Sequence, residues 1–238
     1  LTHHIYGAYA WPHVNNDMLQ KTPYKISQKI IEESYQFLAE FTDFKTPINE
    51  PTGDFFYDIW KIKTKFKGTV FETLLSALPG NIGEARIVKL DSGNCYLQHS
   101  DIDDRYHLNI SGNNCYLLDL ESKQLHELVK DGCWYEMDAG RLHSAINIGY
   151  DPRYQLVVRK LLDKNSLENY RKIKIMPICD KPRFRFDNHV SPWLNKAAKR
   201  HIIQKFKARP DHVTFQIDAE YLKELDRFDR NSFKISID

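Results

Sequence analysis

The chain reads as a mainly β protein with flanking helices, a sandwich or barrel in its central part. Three observations carry this. Between Arg86 and Arg159 short apolar segments recur at spacings of about ten residues, turn-forming Gly, Asn and Asp separate them, and no strand-helix-strand rhythm intervenes.

The elements follow in order. Ile30, Ile31, Tyr35 and Leu38 recur at helical spacing between Ser27 and Glu40, giving a helix with one apolar face, and Pro47, Pro51 and Gly53 end that pattern. IKTKF at 62–66 alternates and predicts a strand, while Phe71–Leu78 predicts a short helix stopped by Pro79-Gly80. ARIVKL, CYLQH, YHLNI, CYLLDL, QLHEL, CWYEM, HSAINI and YQLVVRKLL then predict seven or eight strands. Ser191-Pro192 opens a predicted helix with Trp193, Leu194, Ala197, Ala198, Ile202 and Phe206 inside, and Asp218 caps a second with Leu222 and Leu225. The expected organisation is an N-terminal mixed scaffold over 1–80, a β core over 81–162, and a basic, largely helical extension over 163–238.

Composition narrows the class. An apolar fraction of 42% and an aromatic fraction of 13% belong to a folded domain and not a disordered chain. No apolar run reaches the roughly 20 residues that cross a bilayer, and the opening LTHHIYGAYAWPHVNND lacks a signal-peptide layout, so the expected location is cytoplasmic, with no membrane partner. Cys95, Cys115, Cys133 and Cys179 form no CxxC pair and read as free thiols. Charge is uneven: residues 159–209 hold 15 basic and 4 acidic groups, a net +11 inside a chain of net +2. This tract, with Arg183, Arg185, Lys196, Lys199, Arg200, Lys205, Lys207 and Arg209, reads either as a solvated helix face or as a surface for an acidic peptide or protein, nucleic acid being the less expected partner.

The candidate chemistry starts at His99-Ser100-Asp101. On a strand, residues two apart share a face, so His99 and Asp101 converge. His143, 44 residues further on, can add a third ligand from another strand. Two imidazoles and a carboxylate leave metal positions open, which suits Fe(II) handling a chelating cosubstrate and O2. A bare HxD is met more often in a hydrogen-bonded turn than in a metal site, and both readings stand on these residues alone.

HSDIDDRYHLNI followed by DGCWYEMDAGRLHSAINIGYDPRYQLVV resembles the aspartyl/asparaginyl β-hydroxylase-like family of Fe(II)- and 2-oxoglutarate-dependent oxygenases, which includes cis-selective proline hydroxylases. The matching features are His99 and Asp101, Arg105 and His107, Gly132, Asp138, His143, and Arg153 ten residues beyond His143. The resemblance covers Arg86 to Val158, roughly a third of the chain. It implies a double-stranded β-helix (jelly roll, cupin-like) and a metal triad of His99, Asp101 and His143. It also implies that Arg153 binds the far carboxylate of 2-oxoglutarate, as a planar guanidinium can, with His107 and Arg105 bordering the cosubstrate. The implied reaction hydroxylates an unactivated carbon of an amino acid or of a peptide or protein side chain, releasing succinate and carbon dioxide. Other readings are Arg153 paired with Asp151 or Asp138 at the surface, and Arg105 and His107 as ordinary strand residues. At the level of function the rivals are a cupin-like metal enzyme without 2-oxoglutarate and a non-catalytic β domain with a basic tail.

Overall fold

The computed structural model describes residues 17–179 and 182–238. His3 and His4 lie outside the described residues, as do the side chains of Arg183 and Arg185.

Strand β1 (Leu19–Lys25) precedes helix α1 (Gln28–Leu38), whose cap is Ser27, its hydroxyl accepting the Ile30 amide. The short pair β2 (Asn49–Pro51) and β3 (Trp60–Ile62) follows, then helix α2 (Val70–Ser76). IKTKF is strand only at its start, since Thr64–Phe66 turns into a single 3-10 turn. The central strands are β4 (Ile82–Leu90), β5 (Arg105–Ser111), β6 (Cys115–Asp119), β7 (Gln124–Glu127), β8 (Cys133–Met137), β9 (His143–Asn147) and β10 (Arg153–Lys160).

Five strands form an antiparallel sheet in the order β1-β8-β5-β10-β4, and three form another in the order β7-β6-β9. Alternation along β5 and β10 gives the large sheet two unlike faces. Tyr106, Leu108, Ile110, Leu156 and Val158 point to one side and pack with Ile31, Leu38, Phe71 and Leu74 of the helices. Arg105, His107, Asn109, Arg153, Gln155 and Arg159 occupy the alternate positions, which face away from that core. A smaller cluster of Leu90, Leu117, Met137, Ala139 and Ala145 joins the large sheet to the three-stranded one, so much of this polar row is buried between layers.

The expected double-stranded β-helix, the jelly-roll or cupin-like form, is corrected by this topology. No sheet is closed into a barrel or strongly curled; β1 and β4 remain the edges of one sheet, and β7 and β9 those of the other. Closure needs edge strands to pair continuously. The segment after β4 runs beside β9 through the isolated bridges Cys95↔Ile146 and His99↔His143 and backbone bonds such as that from the Tyr96 N–H to the Ala145 carbonyl, without forming a further strand, so the architecture is an antiparallel, mainly β assembly of separate open sheets.

The tail also departs from expectation. It holds β11 (Tyr170–Pro177), helices α3 (Pro182–His189) and α4 (Ser191–Lys199), then β12 (Ile203–Ala208), β13 (Val213–Asp218) and β14 (Phe233–Ile237). The strands form a four-stranded sheet, β12-β13-β11-β14, over a core of Trp193, Leu194, Ile175, Phe206, Phe215 and Ile217. The helix opened by Ser191-Pro192 stops at Lys199 because His201 takes a left-handed backbone (φ 57°), which sends Ile202 and Phe206 into the sheet region. Asp218 does cap a helical segment, Ala219–Arg227, of 3-10 type. No helix among the described residues is long and apolar enough to cross a membrane.

Candidate metal centre

His143 opens β9, and His99 lies opposite it as an antiparallel bridge partner. Each donates its backbone N–H to the carbonyl of the other, at 2.9 and 2.8 Å, and the ring centroids are 4.4 Å apart. Ser100 faces the other way: its amide and hydroxyl both donate to the Asp187 carbonyl, at 3.0 and 2.7 Å. This alternation returns Asp101 to the histidine side, and the Asp101 amide is fixed on the Ala139 carbonyl at 2.7 Å. One ligand atom each from His99, Asp101 and His143 then falls within 4.8 Å of the others.

The imidazoles are oriented alike. Nδ1 of His99 bonds the Leu97 carbonyl and Nδ1 of His143 the Arg141 carbonyl, both at 2.8 Å. Carbonyls accept only, so these bonds assign the proton to Nδ1 and leave Nε2 as the ligating lone pair. Burial holds His143 down to about 4 despite the nearby Asp101 carboxylate, so the ring stays neutral near pH 7. Burial opposes ionisation of Asp101, but the Arg105 guanidinium beside it outweighs this and holds its carboxyl well below the usual range. A neutral His143 with an ionised Asp101 is the protonation state that metal ligation requires.

Arg105 bonds Asp101 at 3.0 Å and reaches Asp103 with its other nitrogen; Asp103 in turn holds Arg159, whose guanidinium stacks 4.4 Å from the Phe55 ring. Glu84 extends this row to Arg86 at 2.7 Å. Arg105 therefore positions the carboxylate ligand from an ion-paired row.

Deeper between the sheets lies Arg153, 1% exposed, its guanidinium 5.9 Å from the Tyr96 ring. It pairs with neither Asp151 nor Asp138: it has no carboxylate partner among the described residues, and its Nε and Nη1 have no hydrogen-bond partner. Gly112 is packed against it, where a Cβ would come within 3.0 Å of the Arg153 Cα, and a φ of +100° also favours glycine. His107 is buried too, both ring nitrogens without partners, and burial, Arg153 and His143 together push it down to about 3. Nε2 of Gln155 is likewise unpartnered. Asp138 is turned outward to Lys199, 2.8 Å away, and Gly132 serves a turn at φ +76° that brings the Ile26 carbonyl close.

Sequence reasoning missed Gln155, Asp103 and Arg159. Gln155 and Arg159 were findable, since they share the alternation of β10 with Arg153. Tyr96 carried no signal: it stands outside any strand and reaches Arg153 only through the fold.

Fold and site together define an antiparallel, mainly β protein with a His/His/Asp cluster of metal-binding type, which supports a metal-dependent enzyme. Compared with known proteins, the chain matches no protein-family model and, significantly, no curated protein.

Proposed function

We propose that the chain is an Fe(II)- and 2-oxoglutarate-dependent oxygenase that hydroxylates an unactivated carbon of an amino acid or of a peptide or protein side chain. The observation that carries this reading is Arg153, a buried guanidinium with unpartnered donors and no carboxylate partner among the described residues. A buried charge without a counter-ion is costly unless something arrives to pair with it. The unpartnered Arg153 and Gln155 nitrogens are donors and the His107 ring can donate through one nitrogen, so the pocket fits an acceptor-rich dianion.

In this reading His99, Asp101 and His143 hold the iron and leave positions for cosubstrate and O2. Bound there, iron and 2-oxoglutarate would supply oxygen activation, with succinate and carbon dioxide as coproducts. The residues do the placing. Arg153 would take the far carboxylate, its guanidinium kept from water by burial and by the Tyr96 ring 5.9 Å away. His107, neutral, offers one N–H to the cosubstrate without adding charge beside the metal. Arg105 keeps Asp101 ionised and aimed.

A second reading, a metal-dependent enzyme that does without 2-oxoglutarate, rests on the triad alone and leaves Arg153 without a role. Assaying Fe(II)-loaded protein for succinate release against a panel of amino acids and peptides separates the two. Succinate formed only with both Fe(II) and 2-oxoglutarate supports the first; turnover of a substrate without 2-oxoglutarate supports the second.

A further inference from the structure

A groove of about 740 Å³ opens at Asp101 and Arg105 and runs between the large sheet and the four-stranded C-terminal sheet. Its floor includes Phe56 and Phe206, both buried and 4.8 Å apart in an edge-to-face contact. Its far rim is the β12–β13 hairpin, which contributes Lys207 and Arg209. Two features set these cations apart.

First, five basic groups of the tract are neutralised within the molecule. Arg159 is held by Asp103, Lys160 by Glu136, Lys164 by Asp58, Lys199 by Asp104 and Asp138, and Arg200 by Glu224. Lys207 and Arg209 are exposed, line the groove, and have no carboxylate partner among the described residues. Of the acids along the same groove, Glu84 pairs with Arg86 and Asp101 with Arg105, Asp54 accepts the Phe56 amide, and Asp211 lies 2.8 Å from the His212 ring.

Second, the hairpin is bulged. The β12–β13 register shifts between Gln204 and Lys207, and Lys205 takes a left-handed φ of 51°, which a lysine adopts only against a steric penalty. Bulges re-aim side chains beside functional sites; here Phe206 goes into the floor and Lys207 to the rim.

We infer that this groove seats an acidic peptide segment, with Lys207 and Arg209 pairing with carboxylates that flank the side chain presented to the triad. The inference rests on the oxygenase reading for what happens at that side chain, while the recognition itself needs neither iron nor 2-oxoglutarate. A groove open along its side admits a chain that enters and leaves. It also exceeds the needs of a free amino acid, being within the usual size range for drug-sized ligands.

The test is fluorescence anisotropy with the full chain and two fluorescein-labelled peptide pools of equal length. One pool carries Asp or Glu at alternate positions, the other Lys or Arg, and the remaining positions are randomised. The acidic pool is expected to bind at least about tenfold tighter, to weaken as salt rises, and to lose about tenfold on K207E/R209E and less on K207Q/R209Q. Thermal melting and iron stoichiometry of the variants report that the fold is intact. Equal binding of the two pools, no binding of either, an unchanged affinity in K207E/R209E, or displacement by free aspartate as readily as by unlabelled acidic peptide would each overturn the inference. None of these results touches 2-oxoglutarate binding, which fails or succeeds in its own titration.

Discussion

His99 and His143 exchange both backbone hydrogen bonds across a single bridge while their rings stand 4.4 Å apart, so the main chain sets the spacing of the two imidazoles. Truncating either ring leaves those backbone bonds in place. His99→Ala and His143→Ala should therefore lose Fe(II) binding by metal analysis while melting within a few degrees of the parent. Iron retained at parent stoichiometry in both variants would mean that the ligands lie elsewhere.

Arg153 should show stability and function pulling apart. Arg153→Met keeps much of the side-chain volume and removes a buried charge that has no carboxylate partner among the described residues. The ligand-free variant should gain about 1–3 kcal/mol in urea unfolding, as replacement of buried charge by apolar volume often does. Its affinity for 2-oxoglutarate should fall by a factor of about a hundred or more, the worth of a charge-assisted bidentate contact. A variant that is less stable and binds the cosubstrate as before would refute both halves.

The pH dependence of folding has a definite sign. His107 is held at about 3 in the folded state, by burial first and then by Arg153, His143 and Arg105, against an ordinary value of 6.5. Between those values the unfolded chain binds a proton that the folded chain does not, so stability is greatest above about pH 6.5 and falls as pH drops toward 3, by up to about 1.4 kcal/mol per unit. His143, held at about 4, adds to the same slope. Urea midpoints measured from pH 7 to 5 should decline, and His107→Gln should flatten the decline; an identical slope in that variant would show that His107 is not kept neutral by burial.

Asp103 bridges Arg105 and Arg159 from a side chain only 2% exposed. Asp103→Asn leaves two guanidinium groups short of a buried counter-ion, and should destabilise the protein by about 3–5 kcal/mol. Chemical denaturation reads this directly. A loss under about 1 kcal/mol would mean that solvent, not Asp103, satisfies the two arginines.

The legible parts of the sequence were those where short-range pattern and burial agree. The strands from Ile82 to Lys160 follow from alternation and turn residues, and the meeting of His99 with Asp101 follows from the period of two. Alternation also marks YRKIKIMP and VTFQID, but the apparent helical spacing from Trp193 through Ile202 and Phe206 points the tail toward helix. What interrupts that helix is the left-handed turn at His201, a residue type with only modest preference for it. Whether the sheets close was not legible at all. Closure depends on edge pairing between segments far apart in sequence, and the segment after β4 meets β9 through isolated bridges at Cys95 and His99 and a few backbone bonds, not as a strand. The burial of Arg153 is implied by the resemblance, whereas its lack of a carboxylate partner among the described residues follows only from the packing of β5, β6 and β10 around it.

The central claim joins the triad to Arg153 through one bound dianion, and anaerobic titration of the Fe(II)-loaded protein with 2-oxoglutarate tests it most directly. The account predicts a weak visible charge-transfer band that saturates at about one 2-oxoglutarate per iron and is absent, at the same concentrations, in Arg153→Met. Iron bound at full stoichiometry with no band at any 2-oxoglutarate concentration would contradict it.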